Sequence, residues 1–365
     1  DSLAYVFEKK ATKVLMIECG SPGAKDDWYC AVPKTPEGGS VTSLSVSPAG
    51  PTIGITWASL RSPAEVYVSR AKPNAPPQER YGEPFVNLSR ANADLLASLD
   101  RPRPESVEVP IEGGQMQMWL IKPPGFDANK KWPVAYLVHG GPQGAWEDGW
   151  SYRWCPELWA AQGYVVALPN PRGSTGFGQK FVEEISGDWG GKCYRDLMAG
   201  ADYVEKRPYV DKDRMVAAGA SFGGYMMNWF AVNTGRFKAL VSHDGVYDFD
   251  SMYGTTDEVW FDEYEHGGPP WGKNRESYEK FSPNRLAANL GKFKTPMLVI
   301  QNDRDFRCPL GQGLELFTAL QRQGVPSRFI NFPDEGHWVL KPANSKRWHQ
   351  EVFHWITKYC PPGGR

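Results

Sequence analysis

Short apolar runs without helical spacing fill the first hundred residues. Leu3 to Phe7, Lys13 to Cys19, Thr42 to Val46, Thr52 to Trp57 and Ala64 to Ser69 are β-like, and Gly, Pro and Ser turns such as Ser47-Pro48-Ala49-Gly50 separate them. They predict a small antiparallel β region. Ala71 to Pro77 reads as a Pro-rich loop, and Arg101-Pro102-Arg103-Pro104 as a linker, because alternate prolines favour an extended backbone. The expected division is therefore a β-rich part over residues 1–104 and a second domain over residues 105–365.

From Glu105 the pattern becomes strands alternating with helices, which implies an α/β domain with a mostly parallel sheet covered on both faces. Val107 to Ile111 and Met116 to Ile121 read as a leading hairpin. Strands follow at Val134–Val138, Tyr164–Leu168, Arg214–Ala218, Ala239–Ser242, Pro296–Ile300 and Ser327–Asn331. Helices are expected at Leu158–Gln162, Gly191–Lys206, Tyr225–Val232, Leu314–Arg322 and Ser345–Tyr359.

One strand-to-helix junction carries chemistry. Gly219-Ala220-Ser221-Phe222-Gly223 lies between the Arg214 strand and the Tyr225 helix. In a Gly-x-Ser-x-Gly elbow the glycines remove side chains where strand and helix meet, so the serine is exposed on a strained turn as a nucleophile. A glycine-rich helix cap is the competing reading. The chain order Ser, acid, His then points to Asp305 in Asn302-Asp303-Arg304-Asp305-Phe306-Arg307 and to His337 in Glu335-Gly336-His337-Trp338, each just past a strand. Asp303 is the alternative acid. His243 is expected to be a structural histidine, His139 a scaffold for the loop that follows it, and His266, His349 and His354 surface or packing residues in loop or terminal-helix contexts. His139-Gly140-Gly141-Pro142 follows the strand from which a second oxyanion donor is supplied, so the N–H groups of Gly141 and Phe222 are the candidate oxyanion hole. Arg307 can offer its fork of donors to a substrate carbonyl, or form a surface ion pair.

Composition narrows the partners. Lys and Arg total 41 against 42 Asp and Glu, with no basic block, which argues against nucleic acid and acidic membrane surfaces. No apolar run approaches the ~18 residues of a membrane span. Six scattered cysteines, without Cys-x-x-Cys or paired histidines, give no zinc pattern, and no cofactor is expected; Cys19 and Cys30 could close a hairpin or remain free thiols. The chain opens at Asp1 without Met, so a processed or trimmed N-terminus is expected. Asn87-Leu88-Ser89 has the glycosylation pattern.

Together His139-Gly140-Gly141-Pro142-Gln143-Gly144, Asn170-Pro171-Arg172-Gly173-Ser174-Thr175-Gly176, Gly187-Asp188-Trp189-Gly190-Gly191, Gly219 to Met226, Asp305-Phe306-Arg307 and Gly336 to Leu340 make the chain resemble the catalytic half of the prolyl oligopeptidase family of serine peptidases. The resemblance lies in the branch of dipeptidyl peptidase V and acylaminoacyl peptidases, over roughly residues 105–358. It implies an α/β-hydrolase fold, a Ser221, Asp305 and His337 triad, the Gly141 and Phe222 oxyanion hole, an Arg307 contact to a substrate carbonyl, and an apolar pocket built partly from Tyr225, Tyr247 and Trp260. The implied activity is release of dipeptides from peptide N-termini after a small or apolar residue, with an acylaminoacyl peptidase, a carboxylesterase or a non-catalytic binding protein as the other readings. Secretion or a periplasmic location is a family expectation, with the cytoplasm as the alternative. Family members carry an N-terminal β-propeller; at ~40–50 residues per blade the first hundred residues allow two blades at most, with Leu44–Pro48 and Ser62–Val68 similar to the last one. Self-association or a missing propeller portion is expected from the strand edges this leaves.

Overall fold

Thr52–Ser59 and Ser62–Arg70 place successive side chains on opposite faces, as strands with one covered face do. In the computed structural model, which describes residues 2–20, 28–31, 35–47, 52–70, 72 and 83–364, they are strands β5 and β6. With β4 (Ser40–Val46) and β7 (Val86–Asn87) they form a four-stranded antiparallel sheet, the strand number of one propeller blade. A three-stranded antiparallel sheet precedes it, made of β1 (Ser2–Glu8), β2 (Lys13–Gly20) and β3 (Trp28–Ala31). The short helix α1 (Ala93–Ala97) follows. The expected β region is thus present, with β3 and β7 as additions. Cys19 lies opposite Tyr29 and Cys30 opposite Glu18 in the β2–β3 register. The Ser47–Gly50 turn and the Ala71–Pro77 loop fall largely outside the described residues.

Two compact units result, Asp1–Arg101 with Trp146–Glu157, and Pro102–Ala145 with Leu158–Arg365. Within the first, Leu15, Ile17, Val41, Ile53, Ile55 and Trp57 form the apolar core. The Asp148 carboxylate, almost wholly buried, accepts hydrogen bonds from the Gly39 N–H (2.6 Å) and the Leu60 N–H (2.8 Å), while its own N–H donates to Ala11 O. A carboxylate with such donors satisfies backbone groups that burial would otherwise leave unpaired.

The second unit is built on an eight-stranded sheet. Its strands are β8 (Glu105–Ile111), β9 (Gly114–Ile121), β10 (Trp132–Val138), β11 (Val165–Pro169), β12 (Val210–Ala220), β13 (Ala239–His243), β14 (Met297–Asn302) and β15 (Ser327–Phe332). Their order is β15-β14-β13-β12-β10-β11-β9-β8; β8 and β9 form an antiparallel hairpin, β9 pairs antiparallel with β11, and the rest are parallel. This is the α/β-hydrolase fold. All residues of β10, β11, β13 and β14 are buried, which is why they read as continuous apolar runs.

Helices α2 (Pro156–Ala161), α3 (Gln179–Glu183), α4 (Lys192–Glu205), α5 (Phe222–Asn233), α6 (Phe249–Thr255), α7 (Val259–His266), α8 (Arg275–Lys280), α9 (Ala288–Phe293), α10 (Leu310–Arg322) and α11 (Pro342–Tyr359) complete it. Helix α4 buries Cys193, Leu197, Ala201 and Val204, the one-face spacing of an amphipathic helix. Helices α3 and α6–α9 have no counterpart among the sequence expectations; each spans eight residues or fewer, too short for the period to stand out. Among the described residues no helix is long and apolar enough to cross a membrane.

Candidate active site

Register along the sheet lines up the positions that matter. Ala220 pairs with His243, His243 with Ile300, and Asn302 with Phe332, so the segments after β12, β13, β14 and β15 leave the sheet side by side. At the first of these ends Ser221 has φ 59° and ψ −121°, a conformation that costs a residue with a Cβ on the order of 1–3 kcal/mol. The elbow holds it there. A Cβ on Gly219 would lie 2.4 Å from Gly223 O, and one on Gly223 would lie 2.2 Å from Val138 O. The Ser221 N–H donates to His243 O at 2.9 Å, and Ser221 O accepts the Tyr225 N–H at 2.8 Å, which starts α5. Phe222 is the first residue of that helix, where N–H groups have no intrahelical partner and the helix end carries partial positive charge.

Past β14, Asp305 is buried. Its Oδ1 accepts the N–H groups of Arg307 (3.0 Å) and Cys308 (2.9 Å), and its Oδ2 is 2.7 Å from His337 Nδ1. Of the two acids offered by the sequence, Asp305 therefore meets the imidazole. Asp303 is exposed and accepts from Asn331 Nδ2 instead. The His337 loop is shaped by the buried Glu335 carboxylate, which accepts the N–H groups of Leu340 and Lys341 and the Asn344 amide.

At the end of β10, His139 is buried with Nδ1 2.7 Å from Gly140 O and Nε2 2.9 Å from Ser174 Oγ, the scaffold position expected of it. Gly141 follows at φ +132°, and a Cβ there would meet the Gln143 backbone at 2.5 Å. Gln143 Nε2 donates to the buried Glu265 carboxylate (2.8 Å), which also accepts from Ser186 Oγ and Trp189 Nε1. These acceptors tie the Gly141 loop to α7, a link with no sequence signal because its ends lie far apart in the chain.

The remaining candidates divide. Arg307 ion-pairs through its guanidinium with Glu258 (2.7 Å) and lies over the Trp338 ring. Tyr225 is fully buried among Trp189, Phe222 and Phe249, its hydroxyl donating to Phe281 O. Tyr247 is buried too, with its N–H donated to Gln312 Oε1. Trp260, on α7, is 68% exposed. His243 is buried with Nε2 3.0 Å from Asp244 Oδ2, a structural setting. His266 sits at the end of α7 rather than in a loop, stacked on Tyr278, with Nδ1 3.1 Å from Ser277 Oγ. His349 Nδ1 donates to Ser345 O within α11, and His354 is exposed.

Burial lowers the pKa of both His139 and His266 to about 4. Both stay neutral in the folded state while the unfolded chain takes up protons near the ordinary value, so between about pH 6.5 and 4 the unfolded state binds more protons and stability falls with pH. Each histidine contributes roughly 3 kcal/mol to this loss, from about 1.36 kcal/mol per pKa unit. Denaturant midpoints taken across that window should fall on acidification, and His266→Phe should make the fall shallower; an unchanged slope would contradict the assignment.

A model of the prolyl oligopeptidase family matches residues 150–362, more than half of the chain. The chain belongs to the prolyl oligopeptidase family. It is 52% identical over 244 residues to the probable dipeptidyl-peptidase 5 of Aspergillus clavatus, covering 66% of this chain and 33% of that protein. It is 50% identical over 254 residues to the dipeptidyl-peptidase 5 of Trichophyton schoenleinii, covering 68% and 35%. The chain thus spans about a third of the length of the curated relatives it matches. Among solved structures, the acylaminoacyl peptidase of Pyrococcus horikoshii superposes with a TM-score of 0.82 at 22% identity, over 98% of this chain and 54% of that one, a likeness of fold.

Proposed function

We propose that the chain is a serine peptidase that hydrolyses short peptides through an acyl-enzyme and releases dipeptides from their N-termini. The observation that carries this reading is the Asp305–His337 pair at 2.7 Å, on loops that leave the sheet beside the strained Ser221 elbow. In it Ser221 Oγ attacks the scissile carbonyl carbon and its proton passes to His337 Nε2, while Asp305 holds Nδ1–H and so fixes the tautomer. The oxyanion is met by the N–H groups of Gly141 and Phe222. His337 then protonates the departing amine, and water, deprotonated by the same imidazole, releases the acyl group from Ser221. Arg307 orients a substrate carbonyl after exchanging its Glu258 partner, and Tyr247 and Trp260 are assigned to the pocket for the residue before the scissile bond. Tyr225 supports that pocket from behind, since its ring and hydroxyl are both engaged in packing.

Dipeptidyl specificity follows the names of the fungal relatives and is separable from the chemistry. Hydrolysis of an Ala-ending dipeptide anilide, in free-amine and N-acylated forms, tests both. A strong preference for the free amine is expected. Equal or faster cleavage of the acylated form would make an acylaminoacyl peptidase or an esterase the better reading, and absence of both turnover and labelling by a serine-directed phosphonate would point to a non-catalytic binding protein.

A further inference from the structure

Between the Ser221 elbow and the Asp305 loop, a second buried acid lies just past the end of β13. Asp244 is 1% exposed and has φ 46°, a left-handed conformation that a non-glycine residue adopts only when held. Its N–H donates to Ile300 O; its Oδ1 accepts the Asn302 N–H at 3.1 Å and its Oδ2 the Asn302 side-chain amide at 2.9 Å. The same Asn302 amide nitrogen donates to Gly336 O at 2.6 Å, the residue before His337. A carboxyl oxygen of Asp244, one of Asp305 and a ring nitrogen of His337 all lie within 4.8 Å of one another.

Two carboxylates this close in a buried site cannot both ionise without a large cost, and one hydrogen bond between them resolves it by sharing a proton. Asp305 is already fixed as the acceptor, by two backbone N–H groups and His337 Nδ1. Asp244 is the member able to carry the proton: burial foremost, with the Asp305 charge beside it, pushes its carboxyl well above the usual carboxylate range, and a carboxyl oxygen of each acid lies within 4.8 Å of the other. The other titratable groups facing it are His243, with Nε2 3.0 Å from its Oδ2, and the buried Cys308 on the Asp305 loop.

Resting on the triad reading above, we propose that Asp244 is a positioning residue: its carboxyl O–H is the fourth donor to Asp305, and through Asn302 it ties the Asp305 loop to the His337 loop. The buried cluster of Asp244, Asp305 and His337 then carries one negative charge at rest and none when His337 becomes imidazolium. Ionised Asp244 would withdraw a donor from Asp305 and add a second charge beside the imidazole.

The test is the rate at which a serine-directed phosphonate labels Ser221, followed from about pH 6 to 10, a probe without a titrating amine. Asp244→Ala should slow labelling roughly 10- to 100-fold, the range that outer-shell partners of metal-bound histidines show when removed. Asp244→Asn keeps a neutral donor and tolerates the left-handed backbone, so it should restore the rate to within about threefold and flatten the alkaline fall of the parent enzyme. Should Asp244→Ala not fold, the Asn profile alone decides. Asn slowed as much as Ala would mean that Asp244 works ionised, paired with protonated His243, and would overturn the proposal, as would an Ala variant labelled at the parent rate. Failure of the parent chain to label at Ser221 would instead overturn the triad reading.

Discussion

Ser221→Ala should lower kcat on the order of 10⁶-fold, the loss seen when a serine protease is deprived of its nucleophile. Its neighbours in the elbow cannot take that role: Ala220 and Phe222 carry no nucleophilic group, and Gly219 and Gly223 have no room for a side chain. The substitution also keeps the Cβ, so the φ of 59° is as strained for alanine as for serine and the fold should not relax. KM should therefore move little, because the proposed Gly141 and Phe222 donors and the proposed Arg307 contact to substrate stay in place. The melting midpoint of the variant should equal that of the parent within a few degrees, which separates lost chemistry from lost structure. Phosphonate labelling should vanish with the activity. A variant that keeps more than about 1% of kcat would show that the elbow serine is not the nucleophile, since triads without one member fall far below that level.

How far the sequence carries one toward this site depends on the range of each interaction. The strands β10, β13 and β14 announce themselves because both faces are covered and every residue up to the last one or two positions is apolar or small. The elbow is legible because its glycines are local requirements: the backbone of the same turn and of the next strand fills the space where their side chains would be. Asp305 is legible only to within two positions. The pattern past a strand end offers Asp303 as well, and the choice is made by the Arg307 and Cys308 N–H groups that turn Asp305 inward. What stays hidden is polar contact across the fold. Asp244 to Asn302, Gln143 to Glu265 and Asp148 to Gly39 each join residues tens of positions apart or more, and no periodicity encodes such a pair. Helices α6–α9 are hidden for a different reason: each has only six to eight residues and buries at most three of them, too few for a period to stand out.

Arg172→Met should destabilise the second unit by about 3–5 kcal/mol, because it breaks a buried ion pair and leaves a charge behind. Arg172 Nε and a terminal nitrogen meet the two oxygens of Asp196 at 2.8 and 2.6 Å, and the Arg172 N–H adds a third bond to that carboxylate. The two side chains are only 5% and 1% exposed, and Glu184, 3.5 Å from the guanidinium, is the other carboxylate at the site. Without the guanidinium, Asp196 on α4 keeps one backbone donor and no counter-charge. For a unit of this size the loss corresponds to a drop in melting temperature of roughly 10 °C. The effect should reach the active site as well. Ser174, two residues on, holds His139 Nε2 at 2.9 Å, and His139 leads into Gly140 and Gly141, so loosening the Arg172 loop should displace Gly141, the proposed oxyanion donor, and lower kcat. Arg172→Met combined with Asp196→Leu removes both charges, and because replacing a whole buried pair by apolar groups is often neutral, most of the stability should return. If the single variant melts within 2 °C of the parent, or if the double variant is no more stable than the single, the pair does not hold the loop and the link from α4 to the oxyanion site is wrong.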